Sequence, residues 1–266
     1  MSVGFMGTGL MGLPMAQRIL DANESDANLA LIAYTRTASK LAPLQEAGAA
    51  IAATPAEVIQ TADCIILMLT NAQAIQEMVL TEETIPLLSG RTIIQMSTIA
   101  PSESRAIADQ VTAAGGEYLE APVLGSIPEA KAGKLMIMVG SSPAQFTQWS
   151  GLLKNFGPEP VLIGPVGSAS ALKLALNQLI ASLTTAFATS LGFVLRQGVE
   201  VETFMQILRQ SALYAPTFDK KLQRMCDRNY ANPNFPTKHL LKDTDLFIAE
   251  AESVGLNIDG VAGVRQ

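Results

Sequence analysis

The chain has 266 residues, 48% hydrophobic and 16% charged, a balance that can fill the cores of two ordinary domains and excludes wholesale disorder. Its formal net charge of -6 provides no basic surface to recommend nucleic acid as a partner. With one histidine, His239, and two distant cysteines, Cys64 and Cys226, it lacks the residues for a His-rich zinc site or a disulfide framework, so no metal is expected and any acid or base is Lys, Asp, Glu, Tyr or water. The apolar runs are broken by Thr, Asn, Gln or Gly before reaching the length of a bilayer span. The opening Met1-Ser2-Val3-Gly4-Phe5 has no charged leader, so no membrane partner and a cytoplasmic location are expected.

From Ser2 to about Ile163, short β-branched runs alternate with helical stretches. The expected strands are Ser2 to Met6, Leu29 to Tyr34, Cys64 to Leu69, Thr92 to Met96, Glu117 to Ala121, Leu135 to Val139 and Pro160 to Ile163. Amphipathic stretches such as Ala38 to Ala47 and Pro101 to Ala114 lie between them. Strands alternating with helices imply right-handed crossovers and a mostly parallel sheet. The texture changes at Gly164-Pro165-Val166-Gly167. Residues 168–196 then have no Pro and recur apolar at helical spacing, predicting one unusually long helix. Helices follow at Val201 to Gln210, Thr217 to about Asn229 and Lys238 to Val254. The expected architecture is an α/β N-terminal Rossmann domain with a doubly wound, mostly parallel sheet (1–164). An all-α C-terminal domain (165–266), joined by the long helix 168–196, follows it and serves substrate binding and dimerisation.

The strongest local signal is Gly7-Thr8-Gly9-Leu10-Met11-Gly12, set between the first strand and the first helix. Its glycines permit a tight turn and close approach of a pyrophosphate, whose charge meets the helix N-terminus. Where NAD-binding versions carry an acid at the end of the second strand, this chain reads Thr35-Arg36-Thr37, with Lys40 nearby. A guanidinium and hydroxyls suit a 2′-phosphate and point to NADP over NAD, although Arg36 can also be read as a solvated surface residue. Leu69 and Thr70, and Ser97 and Thr98, follow strand C-termini at the cofactor edge. Lys173 stands in the apolar run Ala171-Leu172-Lys173-Leu174-Ala175-Leu176, one helical turn before Asn177. Burial there is costly without a partner or a task, unless the side chain snorkels along the helix edge.

The segment Gly4 to Ala16 resembles the opening signature of the β-hydroxyacid dehydrogenase family, and three further blocks match in order. These are Glu120-Ala121-Pro122-Val123-Leu124-Gly125-Ser126, then Gly164-Pro165-Val166-Gly167 with Lys173 and Asn177, then Lys242-Asp243. The resemblance runs over nearly the whole chain. It implies reduction of a small carbonyl acid, of the glyoxylate or succinic semialdehyde class, with Lys173 as proton donor. It also implies that Ser97, Gly125, Ser126, Asn177 and Asp243 serve the substrate. Thr98 would meet the nicotinamide ribose, and Lys242 would reach toward the cofactor. Asn177 can donate its amide to a substrate carboxylate or hold Lys173 in place. A homodimer or homotetramer with the long helix at the interface is expected.

The chain departs from the family pattern at Leu124, where many members have Ser, and at Ser126, where Gly is frequent and Ser looks more like the glyoxylate/succinic semialdehyde reductases. It also lacks a Glu near Thr189 and stops at Val264-Arg265-Gln266, before the usual final helix. Two other readings stand beside this one: NAD-dependent oxidation of 3-hydroxyisobutyrate, and a non-enzymatic NADP-binding module, against which the retained Lys173 argues.

Overall fold

The computed structural model describes residues 1–25 and 29–266. Strand β1 (Ser2–Met6) runs into α1 (Gly12–Ser25), followed by β2 (Ala30–Tyr34), a 3-10 turn (Ala38–Leu41), α2 (Ala42–Glu46), β3 (Ala50–Ile51) and α3 (Pro55–Thr61). Next come β4 (Cys64–Leu67), α4 (Ala72–Val79), a second 3-10 turn (Ile85–Leu87), β5 (Thr92–Gln95), α5 (Pro101–Ala113) and β6 (Glu117–Glu120). The sheet-bearing part ends with β7 (Val123–Leu124), α6 (Ile127–Lys131), β8 (Met136–Gly140), α7 (Pro143–Leu153) and β9 (Val161–Gly164). The rest is helical: α8 (Ser168–Arg196), α9 (Val201–Gln210), α10 (Pro216–Cys226), α11 (Thr237–Ser253) and α12 (Asp259–Arg265).

The strands lie in the order β3-β2-β1-β4-β5-β6-β8-β7, with β9 paired to β8. Pairing is parallel from β3 through β6, whereas β8 runs antiparallel to both β6 and β7. The chain starts in the middle at β1, moves out through β2 to β3, and returns to place β4 on the other flank of β1. Such a reversal is where doubly wound sheets bind ligands, outside the strands' C-terminal ends. Met6, Tyr34, Leu67 and Gln95 end parallel neighbours, so the residues after them share one edge.

Both faces of this sheet are covered. Phe5, Leu31, Cys64, Ile66 and Ile94 pack on one side with Met15 and Ile19 of α1. Met6, Ile32, Ile65, Leu67 and Ile93 pack on the other with Val58, Ile75 and Ile107. Alternate residues of one strand thus enter opposite cores, which is why Cys64-Ile65-Ile66-Leu67 is apolar throughout. The fold is an N-terminal Rossmann domain followed by an all-helical part, as the alternation predicts.

Two compact units can be drawn, Met1–Lys173 and Leu174–Gln266, so the division falls inside α8. The second unit has its own small core of Phe187, Leu191, Met205 and Phe218, with the rings of Phe187 and Phe218 stacked at 4.7 Å. Several features differ from expectation. The two-residue strands β3 and β7 are too short to carry an alternating signal, and β8 and β9 each lie one residue later than expected. A short helix, α12, occupies Asp259–Arg265, beyond the last helix that the sequence pattern picked out. α8 is long and apolar enough by length and composition to cross a membrane, with a mean hydropathy of 1.5 over its best window. Isolated Thr, Ser and Gln residues break the runs without lowering that average much.

Candidate active site

The glycine loop after β1 is shaped by two steric demands and one opening. Gly7 has φ +100°, and a Cβ there would sit 2.3 Å from the Met68 carbonyl oxygen; a Cβ on Gly12 would fall 1.9 Å from that of Gly7. Neither position admits a side chain. Gly9, by contrast, faces open space. Thr8 is buried beside it, and its Oγ1 has no hydrogen-bond partner among the described residues. Behind the loop stands the N-terminus of α1, which has no acidic residue in its first turn. Open space, an unanswered buried hydroxyl and a positive helix end together fit a dinucleotide pyrophosphate. Leu10 is exposed and Met11 half-buried at the start of this helix.

At the end of β2, Thr35 is half-buried while Arg36, Thr37 and Lys40 are exposed. Thr37 precedes the 3-10 turn without capping it through its side chain. The segment Thr35-Arg36-Thr37-Ala38-Ser39-Lys40 contains no carboxylate, so two cations and two threonine hydroxyls stand where a ribose clamp would otherwise be acidic.

Beyond β4 and β5, Ser97 is buried. Its hydroxyl accepts the Leu69 N–H at 2.7 Å and donates to the Leu67 carbonyl at 3.4 Å, tying the two strand ends together. Thr98 is half-buried and Thr70 exposed on the same edge. Ser97 therefore shapes the edge with a hydroxyl already engaged by backbone.

The block after β6 folds as β7, a glycine turn and α6. Gly125 has φ +140°, and a Cβ there would lie 2.7 Å from Leu135 Cδ2. Ser126 caps α6, but its backbone N–H (2.8 Å) and its hydroxyl (2.6 Å) both donate to Glu129 Oε2. The serine reads from sequence as a donor for substrate; in the structure its proton points at a carboxylate of its own helix.

On α8, Lys173 is only 8% exposed and Asn177, one turn later, 2%. Asn177 Nδ2 donates to Asp243 Oδ2 at 2.7 Å, and Lys242 Nζ lies 2.8 Å from Asp243 Oδ1. Asp243 is thus the hub of an Asn177–Asp243–Lys242 cluster, a linkage the sequence blocks did not reveal. His239, one turn before Asp243, has its pKa lowered by partial burial and by Lys238 and Lys242, with Asp243 opposing.

Sequence reasoning also missed Glu120. It ends β6 fully buried, and its carboxylate accepts the backbone N–H groups of Gly167 (2.8 Å), Ala169 (2.8 Å) and Ser170 (3.1 Å) at the start of α8. The hydroxyls of Ser170 (2.6 Å) and Ser104 (2.5 Å) complete the set, and Ser104 also pairs with Tyr118. Burial first, and the nearby Glu120 charge, push the Tyr118 phenol well above its usual range. An open groove of about 690 Å³ lies elsewhere, lined by Arg105, Ser141, Pro143 and Val166, and includes none of the candidate residues.

Two family models cover the chain. One, the NAD binding domain of 6-phosphogluconate dehydrogenase, matches residues 2–164; the other, described as NAD-binding of NADP-dependent 3-hydroxyisobutyrate dehydrogenase, matches residues 167–266. The chain is 30% identical over 268 residues to glyoxylate/succinic semialdehyde reductase 1 of Arabidopsis thaliana, covering 100% of this chain and 91% of that protein. It is 31% identical over 269 residues to the 2-hydroxy-3-oxopropionate reductase of Escherichia coli (strain K12), covering 100% and 89%. In fold it is similar to the 3-hydroxyisobutyrate dehydrogenase of Mycobacterium tuberculosis solved with L-serine, with a TM-score of 0.88, 19% identity, and 99% and 91% of the chains covered.

Proposed function

Because the chain belongs to the β-hydroxyacid dehydrogenase family of nicotinamide-dependent oxidoreductases, we propose that it reduces a small carbonyl acid to the hydroxy acid with NADPH, with Lys173 donating the proton. The observation that carries this reading is a lysine buried at the head of an apolar helix, in a chain whose single histidine is half-exposed on α11. A buried ammonium is costly unless it has a partner or a task, and a lysine held under cover here can serve as the proton donor. Two relatives are named for reductions of such acids, which favours glyoxylate or succinic semialdehyde as the substrate class.

When bound, the nicotinamide supplies the hydride. Thr8 and the N–H groups at the head of α1 receive the pyrophosphate, and Arg36, Thr37 and Lys40 receive the 2′-phosphate. The backbone N–H groups around Gly125 receive the substrate carboxylate, with Ser126 joining once its hydroxyl turns from Glu129. Lys173 holds a proton at Nζ and transfers it to the substrate's carbonyl oxygen, stabilising the charge that develops there. Asn177, steadied by Asp243, fixes the turn of helix on which Lys173 stands. We further propose that the protein is a homodimer or homotetramer.

The test is NADPH oxidation with glyoxylate and succinic semialdehyde, followed by absorbance, in the wild type and in Lys173→Ala. A general acid is worth about 10²–10⁴-fold, so Lys173→Ala should lose that much kcat while NADPH binding, read by fluorescence, is retained. Near-normal kcat in Lys173→Ala would refute the assignment. A wild type that binds NADPH but turns over no carbonyl acid would favour a cofactor-binding module without catalysis.

A further inference from the structure

We propose that Glu120 is a positioning residue for proton transfer, acting through the first turn of α8 on Lys173. The proposal rests on the reading of Lys173 as proton donor, and its test separates the two.

Glu120 is 0% exposed, and a buried carboxylate is tolerated only when its oxygens are fully answered. Here five donors answer it. One oxygen takes the N–H groups of Gly167, Ala169 and Ser170, three of the donors that a helix start leaves without an intrahelical partner. The other takes the hydroxyls of Ser170 and Ser104. The carboxylate also faces the positive end of a helix of 29 residues, where negative charge is favoured. These bonds join the C-terminal end of β6 to the turn that begins α8.

Room for the carboxylate has been left deliberately clear of side chains. Gly140, the antiparallel partner of Glu120, would with a Cβ come within 2.4 Å of Glu120 Oε1. Gly167 precedes the helix with φ +98°.

Lys173 follows Ala169 by one helical turn and Ser170 by three residues, so the turn clamped by Glu120 directly supports the lysine. The same strand end leads through Ala121 and Pro122 into β7 and Gly125, the proposed carboxylate cradle. One buried side chain thereby fixes the spacing between the acid and the substrate's anchor. Proton transfer requires the donor within hydrogen-bond reach, and a displacement near 1 Å can cost about 10²-fold. Helix capping for stability alone would not require this carboxylate to matter more to kcat than to cofactor binding.

The experiment compares Glu120→Gln, Glu120→Ala and Gly140→Ala with the wild type, alone and combined with Lys173→Ala. Each is scored for kcat, KM of the carbonyl acid, and NADPH binding by fluorescence. Glu120→Gln keeps an oxygen for the backbone N–H groups and should retain kcat within about tenfold. Glu120→Ala should lose about 10²-fold in kcat, with NADPH binding retained because the glycine loop is in a different segment. Gly140→Ala, which displaces the carboxylate without removing it, should fall in the same direction and serves if Glu120→Ala does not fold. On the Lys173→Ala background the Glu120 and Gly140 substitutions should add less than twofold, because their effect passes through the missing amine. Undiminished kcat in Glu120→Ala, or in Gly140→Ala if Glu120→Ala does not fold, overturns the proposal. So do losses that multiply fully with Lys173→Ala. Full activity in Lys173→Ala itself instead refutes the proton donor.

Discussion

Replacing Arg36 by Ala should remove most of a preference for NADPH while leaving NADH use unchanged. β2 ends at Tyr34, and the six residues after it supply Arg36 and Lys40 but no acid to hold ribose hydroxyls. Arg36 is exposed, and among the described residues no carboxylate lies within ion-pair distance of it, so its guanidinium is available to a phosphate. A charge-assisted hydrogen bond contributes about 1.5–3 kcal/mol, and solvent screening places an exposed one at the lower end. At about 1.4 kcal/mol per decade, Arg36→Ala should lower kcat/KM for NADPH about tenfold. Lys40 remains in that variant, so Arg36→Ala combined with Lys40→Ala should lose more. Two further signatures follow from the same interaction. The preference should shrink as salt rises, since dissolved ions screen a solvent-exposed charge pair and compete for the phosphate. It should also shrink as pH falls through about 6, where a phosphomonoester takes up its second proton and loses charge. The assay is kcat/KM for both cofactors across salt and pH. Equal use of NADH by the wild type, or an unchanged cofactor ratio in Arg36→Ala, would refute the reasoning.

Desolvation holds the Cys64 thiol up at about 12, whereas Cys226 is exposed, so a thiol reagent at pH 8 should titrate one cysteine in the native protein and two after denaturation. The raised value also sets a sign: the stabilisation from a protonated Cys64 is complete below the unfolded-state pKa near 9 and is lost as pH climbs toward 12. α8 leaves Leu179 (51%), Phe193 (63%) and Leu195 (49%) exposed in the single chain, so light scattering should find a dimer or tetramer at micromolar concentration, and Phe193→Asp should weaken it. A stable wild-type monomer would contradict this.

The parts of the fold legible in the sequence are those with a strong local cause. Ser2–Met6 and Ser168–Arg196 are readable because a strand framed by a glycine turn and a long helix free of Pro leave little alternative. Ala50–Ile51 and Val123–Leu124 are not, since two residues carry no period and their pairing is decided by neighbours far along the chain. The glycine loop was legible for the same local reason. Gly7 and Gly12 meet Met68 and Gly7 carbonyl oxygens that leave no room for a Cβ, so the spacing of the motif is a steric requirement of the turn itself.

Hydrogen-bond partners across distant segments were not legible, and they alter what each candidate can do. Ser97 and Ser126 both present a hydroxyl next to an expected ligand, and a sequence can only register that the donor exists. In the fold the first is taken by Leu69 and Leu67 backbone, the second by Glu129. Glu120 shows the converse. As the first residue of a block read as the substrate loop, it offers a carboxylate that a small anionic substrate would avoid. Its actual partners are the Ser104 hydroxyl, 16 residues earlier, and a run of donors that begins 47 residues later, at Gly167. The block thus carries two groups at a fixed spacing. Its first residue anchors the helix bearing Lys173, and its glycine, five residues on, provides the bare backbone that an anion can approach. An insertion between Glu120 and Gly125 would leave both groups intact and change only the distance between them. Retained NADPH binding with lost turnover is the expected result of that change.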